Sequence, residues 1–180
     1  GIYGSLGVAS PTNLPGARQN GYAWTDSEGD LWLFGGFGFG ATGAPAYLND
    51  LWKYDVALNQ WAWMSGSNAT GQAGDYGTLG TSAPTNIPGA RYGGNAWFAA
   101  DKLWLFGGQG FSTVQERYND LWSYDVLTGM WTWITGSDLA DQNGTYGTMG
   151  VPSASGVPGA RQASANWVDD NEVFWLYGGY

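Results

Sequence analysis

The sequence predicts an all-β fold made of repeated four-stranded antiparallel sheets, and three observations carry that prediction. Composition is the first: 31 glycines, 12 tryptophans and 11 tyrosines against 12% charged residues describe short apolar strands between glycine-rich turns, not amphipathic helices. An internal repeat is the second. PGAR occurs at 15–18, 88–91 and 158–161, spaced by 73 and 70 residues, and YGSLG, YGTLG or YGTMG precedes it from Tyr3, Tyr76 and Tyr146. Alternation is the third: in LWLF, WKY and WAW successive side chains point to opposite faces, and both faces carry apolar bulk. With 180 residues and 43% hydrophobic content the chain has ample material for a packed core.

The elements follow in order. Residues 1–18 read as a collar segment leading into the first unit, which occupies 19–66. Within it strand A spans about 19–26, strand B about 30–35 (in LWLFGG), strand C 49–55 (NDLWKYD) and strand D 60–65 (in QWAWMSGS). A long D-to-A connection at 67–91 leads to the second unit, 92–137, with DKLWLFGG, NDLWSYD and WTWITGS in the corresponding places. A second connection at 138–161 leads to 162–180, which holds strands A and B of a third unit and stops one residue after its paired glycines. A sheet apolar on both faces has to be sandwiched, and four-stranded sheets repeating along a chain, each covering its neighbour, are the blades of a β-propeller. The expectation is therefore two complete blades plus half of a third. Since propellers close with about four to eight blades, the sequence suggests a segment of a longer propeller, or chains that complete one another through an open blade edge. The opening Gly1 in place of methionine suggests a processed protein or a piece of a longer one.

Several residues resemble the kelch repeats found also in the galactose oxidase propeller. These are the paired glycines Gly35-Gly36 and Gly107-Gly108, the Tyr54/Trp61 and Tyr124/Trp131 pairs, each separated by six residues, and the NDLW…YD runs. The resemblance covers essentially the whole chain and implies four-stranded kelch-type blades, although the period is about 70 where kelch repeats usually take ~50. The copper chemistry of galactose oxidase needs histidine and cysteine, and this chain has neither. The resemblance therefore implies the fold without that activity.

Charge and composition narrow the function. Six basic against fifteen acidic side chains give a net charge of −9, which repels phosphate backbones and anionic lipid, so nucleic acid is a poor partner. No apolar run approaches the roughly 18 residues of a membrane span, so membrane insertion is not expected. Without cysteine or histidine there is no thiolate nucleophile, no Cys- or His-ligated metal and no imidazole base, and no cofactor or metal is expected. Turn acids in TDSEGD, SDLADQNG and VDDNE match no calcium-loop spacing and read as solvated hairpin turns. The sequons at Asn68 and Asn143 are glycan acceptors only in a eukaryotic secretory route.

What recurs in every unit reads as scaffold, and what differs reads as a place for a unique site. All twelve tryptophans recur, and so do Arg18, Arg91 and Arg161, which are expected to pair with acids such as Asp50 or Asp120, because an isolated buried charge is too costly to repeat. The paired glycines fit positions of positive φ. The D-to-A and B-to-C connections should leave on one rim, with the former ordered as a collar packed by Tyr76 and Tyr146. The B-to-C loops differ between units, FGFGATGAPAYL at 37–48 against QGFSTVQERY at 109–118. They supply the candidates for ligand contact: Phe37, Phe39, Tyr47, Phe111, Glu116, Arg117 and Tyr118. The expected function is a non-catalytic extracellular or cell-surface module, of bacterial type, that binds protein or glycan or builds a larger surface assembly. The alternative is a supporting domain of an exported carbohydrate-active enzyme whose catalytic residues lie outside this chain.

Overall fold

The computed structural model describes residues 1–110 and 116–180. Its twelve strands form antiparallel sheets, and no helix occurs among the described residues. The first sheet holds β1 (Arg18–Gln19), β2 (Tyr22–Thr25), β3 (Leu31–Gly38), β4 (Ala46–Asp55) and β5 (Gln60–Ser65). The second repeats this with β6 (Arg91–Tyr92), β7 (Asn95–Ala99), β8 (Lys102–Gly110), β9 (Glu116–Asp125) and β10 (Met130–Thr135). A two-stranded sheet of β11 (Ala165–Val168) and β12 (Phe174–Tyr177) follows. Each full sheet runs in simple up-and-down order, β2-β3-β4-β5 or β7-β8-β9-β10, with β1 or β6 pairing the far end of β3 or β8.

Two features depart from the boundaries expected of the sequence. Strand A is split: Asn20 adopts φ 52° and breaks β1 from β2. The break is used, because the Asn20 carbonyl accepts from the Gly93 amide at 2.9 Å and the Gly93 carbonyl from the Ala163 amide at 2.8 Å, linking equivalent positions of successive units. Strands B and C are longer than their apolar cores suggest. Past Phe34 the register shifts at the paired glycines and then resumes, Gly36 opposite Leu48 and Phe37 opposite Tyr47. Gly35 and Gly36 sit at φ 61° and 99°, Gly107 and Gly108 at 63° and 99°, so the GG is a bulge that only glycine accommodates readily, not the end of the strand.

The sheets stack face to face. Phe34 of β3 meets Trp131 of β10 at 5.3 Å between ring centroids, and Trp32 meets Tyr124 of β9 at 5.7 Å. Tyr22, Trp24, Leu51, Leu103, Leu105 and Trp122 complete this buried layer. The opposite face of the second sheet repeats the move, with Trp97 stacked on Phe174 of β12 at 5.1 Å. Inner strand β7 lies between β2 and β11, so each sheet presents one face to its predecessor and the other to its successor. This arrangement is what two-faced apolar strands require.

The collars are ordered, as the repetition of their sequence suggests, but they do more than connect. Residues 3–13 cover the outer edge of β5 through Gly7 N–H to Trp63 O at 2.7 Å and Ser10 N–H to Trp61 O at 3.1 Å. Gly80 N–H to Trp133 O at 2.8 Å does the same for β10. Tyr3 packs on Trp52 and Trp63, and Tyr76 on Trp122 and Trp133, at centroid distances of 4.8–5.2 Å. Tyr146 does not follow. It is 77% exposed: the tryptophans its counterparts pack on come from strands C and D, and β12 is the last strand among the described residues.

Candidate functional site

The repeated residues assemble a buried polar hub in each full sheet. Asp50, in β4, accepts from both terminal nitrogens of Arg18 at 2.6 and 2.8 Å, from the Tyr3 hydroxyl at 2.6 Å and from the Trp52 indole at 2.8 Å. Asp120 takes Arg91 at the same two distances, Tyr76 at 2.7 Å and Trp122 at 2.8 Å. Each arginine also donates to carbonyls of its own unit, Gly16 and Gly35 for Arg18, Gly89 and Gly107 for Arg91. The preceding Asn49 and Asn119 accept from the Ser67 and Ser137 amides and donate to Pro88 and Pro158, fastening the outgoing chain to the next collar. Arg91 and Asp120 side chains are fully buried. Burial alone would lower the affinity of the Arg91 guanidinium for its proton, but Asp120 outweighs it and the net shift is upward. Both oxygens of each carboxylate are engaged within the fold, and these arginines hold sheet to collar.

Above these hubs, on the rim where Ala41 N–H meets Asn68 O at 2.7 Å and so joins the B-to-C and D-to-A connections, the units stop repeating. The register sets Phe37, Gln109 and Tyr180 as equivalents after the paired glycines, Tyr47 and Arg117 as their cross-strand partners, and Gln19, Tyr92 and Gln162 as the residues after each PGAR. Different side chains in equivalent places interlock across unit boundaries. Tyr47 stacks on Tyr92 at 5.5 Å and meets Phe37 edge-on at 5.6 Å. Gln109 donates to the Tyr47 hydroxyl at 2.9 Å and accepts from the Tyr92 hydroxyl at 3.2 Å and the Gln162 amide at 2.9 Å. Arg117 lies over the Tyr180 ring at 5.2 Å, and a recess of about 300 Å³ opens beside Tyr92, Gln162, Ala163 and Tyr180. Burial, with Tyr47 and Tyr180 nearby, holds the Tyr92 phenol neutral beyond its ordinary range. Phenols, carboxamides and one guanidinium equip such a place for stacking and hydrogen bonding.

Sequence reasoning found part of this cluster. Phe37 and Tyr47 lie in β3 and β4, and Glu116, Arg117 and Tyr118 in β9, instead of in B-to-C loops, because both strands continue past the glycine bulge. Phe37, Tyr47 and Arg117 join the cluster. Tyr118 turns inward over the Arg91 guanidinium at 4.3 Å, and its phenol is raised by burial. Phe39 stands just past β3, 47% exposed, and Glu116 sits opposite Gly110 at the strand end. Phe111 lies outside the described residues. Tyr92, Gln109, Gln162 and Tyr180 were not singled out. A signal was available for three of them: Tyr92, Gln109 and Tyr180 differ from their equivalents where the flanking motif is constant, whereas Gln162 repeats Gln19.

The turn acids have structural partners. Asp26 accepts the Glu28 and Asp30 amides and the Trp32 indole at 2.8–3.0 Å, and Asp169 the Asn171 and Val173 amides and the Trp175 indole at 2.8–3.1 Å. They close hairpins and anchor the tryptophan of the following strand. Among the described residues no helix is long and apolar enough to cross a membrane.

No protein-family model matches the chain, and no curated protein does. Among solved structures the fold is similar to that of YjhT, with a TM-score of 0.57 and 16% identity over 88% of this chain. The chain spans 43% of the length of YjhT.

Proposed function

We propose that this chain is part of a kelch-type β-propeller that acts as a non-catalytic binding module at the cell exterior, engaging glycan or protein through the rim built from Phe37, Tyr47, Tyr92, Gln109, Arg117, Gln162 and Tyr180. The observation that carries the reading is the contrast between scaffold and rim. Below the rim, hub distances reproduce from one sheet to the next within 0.1 Å for Asp-centred bonds, whereas at the rim Phe37, Gln109 and Tyr180 stand in equivalent places, as do Tyr47 and Arg117. A repeat architecture varies where its ligand is and stays constant where its core is. Four-stranded sheets that repeat along the chain and each cover the next support the propeller reading. Net charge of −9 argues against nucleic acid as the ligand.

The chemistry favours binding over turnover. Stacked phenols offer flat apolar area with polar edges, the surface on which sugar rings and aromatic side chains dock. The test is a glycan array probed with the isolated chain, followed by titration of any hit against Tyr92→Ala and Arg117→Ala. Binding weakened by roughly tenfold or more in both variants, with unchanged circular dichroism, is the expected outcome. Retained affinity in both would remove the rim from consideration. Turnover of a carbohydrate by a longer form of the protein, with no binding by this chain, would favour a supporting domain of an exported enzyme.

A further inference from the structure

One hydrogen-bond chain at the rim runs in a single direction. Gln109, 2% exposed, bridges the hydroxyls of two phenols whose rings stack at 5.5 Å. Its Nε2 donates to the Tyr47 hydroxyl at 2.9 Å, and its Oε1 accepts from the Tyr92 hydroxyl at 3.2 Å. The Nε2 of Gln162, itself 4% exposed, donates to the same Oε1 at 2.9 Å, so two donors converge on that oxygen and the amide is held one way round. The two hydroxyls are thereby made unlike. Tyr92 gives its proton to Gln109 and keeps only the capacity to accept, whereas Tyr47 receives from Gln109 and its own proton has no acceptor among the described residues. Both phenols are half-buried, so neither is shut off from solvent. The arrangement is built once: Tyr47 corresponds to Arg117, Tyr92 to Gln19 and Gln162, and Gln109 to Phe37 and Tyr180, so no other pair of units repeats it.

Resting on the reading of the rim as a binding surface, we propose that Tyr47 and Tyr92 form a paired contact for a neutral sugar, a pyranose that presents two vicinal hydroxyls. One sugar hydroxyl accepts the Tyr47 proton and donates to its neighbour on the ring. The neighbour donates to Tyr92, whose proton goes to Gln109, and the Gln109 amide donates again to Tyr47. Every bond in that closed ring points the same way, and hydrogen bonds chained in one direction polarise one another. A carboxylate only accepts and an ammonium only donates, so either satisfies one phenol and leaves the other open. Gln109 touches no sugar in this arrangement. It is a positioning residue that fixes which phenol gives and which receives.

Ligand-detected NMR titration of the full chain with methyl glucopyranoside and methyl mannopyranoside tests this, with methyl glucuronide as the acidic counterpart. Expected are saturable binding of at least one neutral glycoside, and affinity lowered roughly tenfold by Tyr47→Phe, by Tyr92→Phe, or by replacing either of two adjacent hydroxyls of that glycoside with hydrogen. The losses from Tyr47→Phe and from the deoxy position that faces it should not add, because both remove one bond. Gln109→Glu carries the positioning claim. A carboxylate there takes both phenol protons and keeps the Gln162 contact, so binding should fall about tenfold and a further Tyr47→Phe should cost little more. Should Gln109→Glu fail to fold, Gln109→Met frees both hydroxyls to rotate and should weaken the glycoside severalfold. Tighter binding of the glucuronide, additive losses, full affinity in the Gln109 variants, or no binding of any glycoside overturns the proposal. The two readings fail separately: array hits that survive Tyr92→Ala and Arg117→Ala remove the rim itself, whereas hits that need those residues and ignore Gln109→Glu remove only the fixed polarity.

Discussion

At the residue scale the fold is held by buried polar groups whose partners recur from sheet to sheet, as the repetition of PGAR and NDLW suggests. The aspartate of NDLW is the clearest. Asp120 faces Arg91, Tyr76 and Trp122 with no solvent reaching the ion pair, so Asp120→Asn leaves a buried guanidinium uncompensated and should cost about 3–5 kcal/mol in urea unfolding. The paired replacement Arg91→Met with Asp120→Leu should cost less than the sum of the two single changes, since no unpaired charge remains. Tyrosines give the pH dependence. Burial, then Asp120, pushes the Tyr76 phenol above its ordinary value of 10.0, and burial, then Asp125, pushes Tyr124 up to about 12. A group that keeps its proton longer in the folded state contributes fully below its unfolded value and loses that contribution as pH rises past it. Stability should therefore hold up to about pH 10 and fall above it, with these phenols ionising as the chain unfolds. Phenolate absorbance assigned to Tyr76 and Tyr124 by difference against Tyr76→Phe and Tyr124→Phe variants, rising on the ordinary curve ahead of any loss of circular dichroism, would contradict this assignment.

At the scale of elements, the glycine bulge decides where strands end. Gly108 has φ 99°, and a Cβ there would run into the Tyr22 hydroxyl and approach the Tyr92 carbonyl to 2.8 Å. Gly108→Ala therefore combines backbone strain with a clash at the sheet-to-sheet contact and should lower stability by clearly more than 1 kcal/mol, measured by chemical denaturation. Gly7→Ala is the control, with φ 74° and nothing within 4 Å, and should show only the left-handed strain of about 1 kcal/mol. Equal losses would mean that the bulge carries no packing role. The bulge also explains the misplaced loop boundary. Paired glycines read as a strand end when only local propensity is weighed. Here the ladder resumes beyond them and carries Phe37, Gln109, Tyr47 and Arg117 up to the rim in fixed register.

At the scale of the whole molecule, order should fall along the chain. Trp24 and Trp32 are 6% and 3% exposed, whereas their equivalents Trp167 and Trp175 are 48% and 46%. Amide exchange in β11 and β12 should therefore be faster than in β3 and β8, because fewer apolar contacts oppose local opening. Uniform protection would indicate that something already covers β12. By itself the sequence determined the all-β class, the repeat and its strand order, and the separation of scaffold from variable positions. All of these follow from local facts, namely alternation, turn residues and recurrence at a fixed period. Which sheet faces which, the tyrosine of each collar reaching the aspartate of its own sheet, and the joining of Tyr47, Tyr92, Gln109 and Gln162 into one cluster were decided by the tertiary structure alone. Those partners lie 17 to 62 residues apart in sequence among the hydrogen-bonded pairs named here. Only the stacking of one two-faced sheet on the next brings them within reach.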